Sequence, residues 1–164
     1  MKIKHAALSV AVLAVFVFSA IVMAQDADKD KLIAIEQEYA APAPPAGTPT
    51  PMQKYMYDGP VMALNPAGRL NITSKTQLMA GRGRGNAAPN PANANVKRQT
   101  TRSNFHVELY DDTALITYNQ AVVETGHEDA AQNTTTNTMC LDTFIKRDGN
   151  WYGIANSCVY APKP

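Results

Sequence analysis

Apolar and polar residues alternate through Ser103–Tyr110, where Phe105, Val107 and Leu109 are interleaved with Asn104, His106 and Glu108. A period of two marks a strand with one buried face. Asp111-Asp112 then turns the chain into TALITYNQAVVE. A two-residue turn pairs Leu109 with Ala114, Val107 with Ile116 and Phe105 with Tyr118, so one face is continuously apolar and His106 lies on the other with Glu108 and Thr117. A polar loop over 126–133 leads to TTTNTMCLDTFIK, and the run FIKRDGNWYGIANS breaks at Asp148-Gly149 before resuming with Trp151. Asp-Gly between two strand-like runs predicts a tight hairpin, because glycine accepts positive φ without steric cost.

The first half of the chain has the longer period of a helix. In KDKLIAIEQEYAA, Leu32, Ile33, Ile35, Glu36 and Tyr39 recur at helical spacing and predict one amphipathic helix over Lys29–Ala41. PAPPAGTPTP ends it. A short helix is expected over Met52–Tyr57, then a strand, an Asn-Pro-Ala-Gly turn and a return strand in PVMALNPAGRLNI. Ser74 is placed to cap a short helix in KTQLMA. The segment GRGRGNAAPNPANA has almost nothing to bury. Flexible segments are expected at 42–51 and 81–95, with order resuming near Thr100.

The first 24 residues add a compartment. Lys2 and Lys4 precede an apolar run from Ala6 to Val22, and Val22-Met23-Ala24 supplies the small residues of a signal-peptidase site. Cleavage before Gln25 is expected, with the mature protein secreted or periplasmic. The remaining residues suffice for a single domain over 25–164. That part holds 13 basic and 14 acidic residues, so its net charge excludes no partner class by itself. The distribution is uneven. Seven basic residues and no acidic one fall between Arg69 and Val107, a stretch suited to an anionic surface partner.

Export also permits a bond between the two cysteines, Cys140 and Cys158. The hairpin register decides whether they meet. Pairing Arg147 with Trp151 sets Cys140 opposite Cys158. A two-residue Asp148-Gly149 turn sends them to opposite faces, and a turn with Gly149 as a bulge leaves them diagonal on one face. All three stay open at this stage.

Taken together, IEQEYA, VMALNPAGR, SKTQLMA, VELYDDTALITY and FIKRDGNWYGIANS resemble the nuclear transport factor 2-like superfamily, and within it the SnoaL-like and kinase-association-domain-like small proteins of unassigned function. The resemblance covers most of residues 29–160. It implies an α+β fold: a cone in which helices pack on the concave face of a curved antiparallel sheet, around a cavity. Isomerase relatives use an Asp base there with Tyr or Asp donors. Kinase-association relatives place a charged residue facing the cavity at the strand position that Asp142 matches. By that resemblance Asp142 and Tyr118 are the catalytic candidates, and Tyr39, Phe105, Tyr118, Asp142 and Trp151 the cavity-lining ones.

Other chemistry is thinly represented. His106 and His127 have no partners at ligand spacing, so no metal or cofactor is expected. GRGRG occurs once, without interleaved aromatics, and gives no reason to expect nucleic acid. Two function classes follow. One is an exported, non-catalytic domain that holds a small apolar ligand or forms a homodimer through its sheet. The alternative is a ketosteroid-isomerase-like proton-transfer enzyme, working as isomerase, dehydratase or cyclase through a cavity carboxylate and a tyrosine.

Overall fold

The computed structural model describes residues 24–45, 47–84 and 95–162. Apart from Ala24, the leader expected over 1–24 lies outside these residues, as does most of the loop expected over 81–95. Within them, helix α1 covers residues 24–40. It is followed by α2 (Pro51–Tyr55), β1 (Pro60–Leu64), β2 (Leu70–Ser74), α3 (Lys75–Arg84), β3 (Lys97–Tyr110), β4 (Thr113–Thr125), β5 (Thr134–Arg147) and β6 (Asn150–Tyr160).

Local chemistry accounts for the punctuation. Asp148 and Gly149 both take positive φ, 50° and 74°, as a type I′ turn requires, and its twist matches that of the strands it joins. The β1–β2 turn is closed by Asn65, whose Oδ1 accepts from Ala67 N (3.1 Å) and Arg69 N (2.9 Å). Thr50 caps α2 from inside the segment expected to be flexible: its hydroxyl accepts from Gln53 N at 3.3 Å, and Gln53 Oε1 accepts from Thr50 N at 2.7 Å. Ser74 and Gln77 form the same reciprocal box at α3 (3.2 and 3.0 Å).

The strands form one sheet in the order β2-β1-β6-β5-β4-β3. All neighbours are antiparallel except β1 and β6, which run parallel with Met62 opposite Ala155. The chain leaves α2 already alongside β6, with Tyr57 N donating to Gly153 O at 3.1 Å, so β1 continues in that direction. Helix α1 buries Leu32 and Ile35 against Val107, Ala114, Ile116, Phe144 and Trp151. Burying apolar surface in this way is the main force seating a helix on a sheet face. On the opposite face of the sheet Leu70, Ile72, Met139 and Val159 are exposed. Strand β3 begins at Lys97, earlier than the alternation indicated, because a register shift hides its first half from a period-two pattern.

Two such shifts shape the interior. The β3–β4 ladder pairs Leu109 with Ala114 and Val107 with Ile116, then slips by one residue between His106 and Ser103. Asn104 sits at the slip with φ 56°. In β6 the slip falls between Gly153, opposite Phe144, and Ala155, opposite Thr143, leaving Ile154 as the extra residue. A bulge of this kind reverses which residues of a strand face inward. Beyond Asn104 the inward residue is Arg102, opposite Gln120, and beyond Ile154 it is Asn156, opposite Asp142.

Candidate functional site

The second bulge also decides the cysteines. The turn is the two-residue form, which by itself would separate them, yet the extra residue at Ile154 restores the register and sets Cys140 opposite Cys158. They form a disulfide with a Cα–Cα distance of 4.1 Å, the close spacing of a non-hydrogen-bonded strand pair.

Beside the disulfide is a half-open cavity of about 370 Å³, bounded by α2, the end of α1 and the inner face of the sheet. Met52, Met56, Val61 and Phe144 supply apolar wall, while Tyr39, Arg102, Gln120, Asp142 and Asn156 supply polar wall. Concave sites with a mostly apolar lining and a few convergent polar groups are where small molecules bind. Among the described residues no group of three His, Cys, Asp or Glu stands where it could hold a metal ion.

The polar wall is one connected network. Tyr118 OH donates to Asp142 Oδ2 at 3.2 Å, and Asn156 Nδ2 donates to Asp142 Oδ1. Arg102 Nη1 donates to Glu36 Oε2, and its Nε donates to Gln120 Oε1 at 3.2 Å. The same guanidinium lies 4.6 Å from the Tyr118 ring centroid and 5.6 Å from that of Tyr39, so two aromatic faces and a carboxyl compensate its removal from water. Glu36 is fully buried, and its Oε1 has no donor to satisfy it. The Asp142 carboxyl is its neighbour. Two facing acceptors become a hydrogen bond once one of them carries a proton.

Burial, then the nearby charge of Asp142, pushes the Glu36 carboxyl up to about 9 against the pull of Arg102. Burial also raises Asp142, opposed chiefly by the bonds from Asn156 and Glu36. Both carboxyls are therefore held toward the protonated form, and they titrate as a pair. Burial raises the hydroxyls of Tyr39 and Tyr118 as well, with further increments from the neighbouring carboxyls, so both remain hydrogen-bond donors.

Of the residues singled out by sequence, Asp142 and Tyr39 stand in the cavity wall. Tyr118 is buried behind the wall and reaches the site through its hydroxyl. Phe105 and Trp151 do not line the cavity. Phe105 packs on Tyr118, with centroids 5.9 Å apart, and Trp151 is held in the core, its indole N–H donating to Asp28 Oδ1 at 3.0 Å. Glu36, Arg102, Gln120 and Asn156 were not anticipated. Glu36 shares a helix face with Leu32 and Tyr39, a placement that could have signalled burial. Arg102 had been grouped with the basic stretch over 69–107, and its burial removes it from that surface.

No protein-family model matches the chain, and no curated protein matches its sequence. Solved structures match its shape. A nuclear transport factor 2-like superfamily protein from Salmonella enterica superposes with a TM-score of 0.63 at 15% identity, covering 85% of this chain and 94% of that one. The fold is nuclear transport factor 2-like. Two further structures with this fold are a proposed dehydratase from Streptomyces avermitilis (TM-score 0.55, 14% identity, 85% and 99% covered) and a proposed ketosteroid isomerase from Parabacteroides distasonis (0.52, 16%, 79% and 85%). At these identities the likeness to nuclear transport factor 2-like proteins establishes architecture, and activity has to be argued from the cavity.

Proposed function

We propose that this protein binds a small, mostly apolar molecule in the 370 Å³ cavity, with the polar end of that molecule against Asp142 and Arg102. The observation that carries this reading is the division of one cavity into an apolar wall, Met52, Met56, Val61 and Phe144, and a polar wall built on Asp142. Titration with N-phenylnaphthylamine, a neutral dye that brightens in apolar surroundings, tests it. Saturable brightening that weakens in Val61→Asp is expected, and absence of saturable binding by the native chain would overturn the reading.

A second reading is favoured by one contact, the 3.2 Å bond from Tyr118 to Asp142. A carboxylate with a raised pKa beside a phenol can take a proton from a carbon next to a carbonyl, the chemistry expected of an isomerase or dehydratase. The names given to the Parabacteroides and Streptomyces proteins agree with it. Deuterium uptake from heavy water into simple cyclic ketones, lost in Asp142→Asn, is its test.

Two further parts belong to the same proposal. Export with cleavage after Ala24 is supported by the leader pattern and by the Cys140–Cys158 disulfide, which suits an oxidising compartment. Homodimerisation through the sheet is supported by Leu70, Ile72, Met139 and Val159, apolar and exposed on the face away from the cavity. The anionic partner proposed for the basic stretch would have to do without Arg102. Lys75 is also engaged, with Asp58 at 3.2 Å.

A further inference from the structure

The register of β6 is not chosen by the burial of its own side chains. Past the bulge, the inward residues are Asn156, Cys158 and Tyr160, and a one-residue slip would exchange them for Ala155, Ser157 and Val159. Neither set is more clearly apolar than the other, so burial gives little preference, and strands of this kind are prone to slippage. The two-residue Asp148-Gly149 turn favours the slipped arrangement, because the ladder from Arg147–Asn150 to Phe144–Gly153 would continue into it without a bulge. In that arrangement Asn156 and Cys158 leave the inner face, and Asp142 loses the donor on its Oδ1.

We infer that the Cys140–Cys158 disulfide is the lock that holds Ile154 in the bulge and thereby positions Asn156 against Asp142. The bond can form only in the bulged register, where the two cysteines oppose each other on one face. In the slipped register Cys158 is opposite Met139 on the outer face, out of reach of Cys140. The three features have separate parts. The disulfide selects the register, Ile154 takes up the extra length, and Asn156 is the group delivered to the site. The effect on ligand binding rests on the cavity reading above, whereas the effect on register does not.

The test uses the mature chain and three variants. In the native protein, Asp142 and Asn156 form a non-hydrogen-bonded pair like Cys140 and Cys158, and their Hα protons give a cross-strand nuclear Overhauser contact. Cys140→Ser/Cys158→Ser is expected to keep the sheet, lose that contact and bind N-phenylnaphthylamine about tenfold more weakly or worse. Deleting Ile154 in the double-serine background removes the need for a bulge, since the unbulged ladder then pairs Asp142 with Asn156, and both contact and dye binding are expected to return. Asn156→Ala in the native background should weaken the dye while leaving the Cys140–Cys158 pairing intact.

A double-serine chain that retains the Asp142–Asn156 contact refutes the lock. So does a folded Ile154-deletion chain that fails to regain it, and this second arm still decides the matter if the double-serine chain does not fold. If the contact behaves as expected but no form binds the dye, the lock stands and the ligand-binding reading is the part that falls.

Discussion

Replacing Glu36 with Gln tests the raised Glu36 carboxyl directly. An amide keeps the hydrogen bonds of a protonated carboxyl: its oxygen accepts from Arg102 and its nitrogen donates to Asp142. What it removes is titration. The Glu36 carboxyl goes from an ordinary 4.5 in the unfolded chain to about 9 when folded, so between these values the folded state binds more protons than the unfolded one. Stability then falls as pH rises, by at most about 1.4 kcal/mol per pH unit for one group. Below 4.5 the carboxyl is protonated in both states and its contribution is complete. Between pH 5 and 8 the native protein should therefore lose about 3–4 kcal/mol that Glu36→Gln does not lose. Urea midpoints for both proteins at pH 5, 6, 7 and 8 measure this difference, with similar stabilities expected at pH 5 and the Gln variant ahead at pH 8. Parallel pH profiles would refute the protonated-carboxyl account. Glu36→Ala serves as contrast, since it leaves the Arg102 guanidinium without its carboxyl partner and should destabilise at every pH by about 3 kcal/mol or more.

Three other outcomes are expected. Gly126→Ala should lower the melting temperature more than Gly149→Ala: both have positive φ, but a Cβ at Gly126 would lie 2.3 Å from Asn95 O, whereas one at Gly149 meets nothing within 4 Å. Asp28→Asn should destabilise by about 1–3 kcal/mol by weakening the bonds from Lys146 (2.6 Å) and Trp151. Burial raises the Asp28 carboxyl, but these bonds outweigh it and the net displacement is downward. Its contribution is therefore present at neutral pH and lost as acid is added, and denaturant midpoints below pH 4 in the two proteins would show the difference shrinking. Leu70→Glu/Ile72→Glu should leave dye binding intact and shift the sedimentation coefficient toward that of a monomer, and an unchanged coefficient would remove these residues from the dimer surface.

Much of the architecture was legible because it rests on neighbours in the chain. Asp148-Gly149, Asn65 to Gly68 and Ser74 with Gln77 are local devices, and each acts where its residue types indicated. The alternation from Phe105 to Tyr118 carried the β3–β4 pairing as far as His106 for the same reason. The site was legible only in part. Asp142 and Tyr39 were reached through a family resemblance, but Arg102 and Asn156 lie beyond bulges that reverse inside and outside, and a period-two pattern carries no mark of a bulge. Asn104 and Ile154 are identified as the extra residues only once the strands are paired, because each is defined by its partner strand and not by its neighbours in the chain. Glu36 follows the same logic: a glutamate on an apolar helix face is costly alone, and only the folded chain brings Arg102 and Asp142 from strands 66 and 106 residues away to make its burial tolerable.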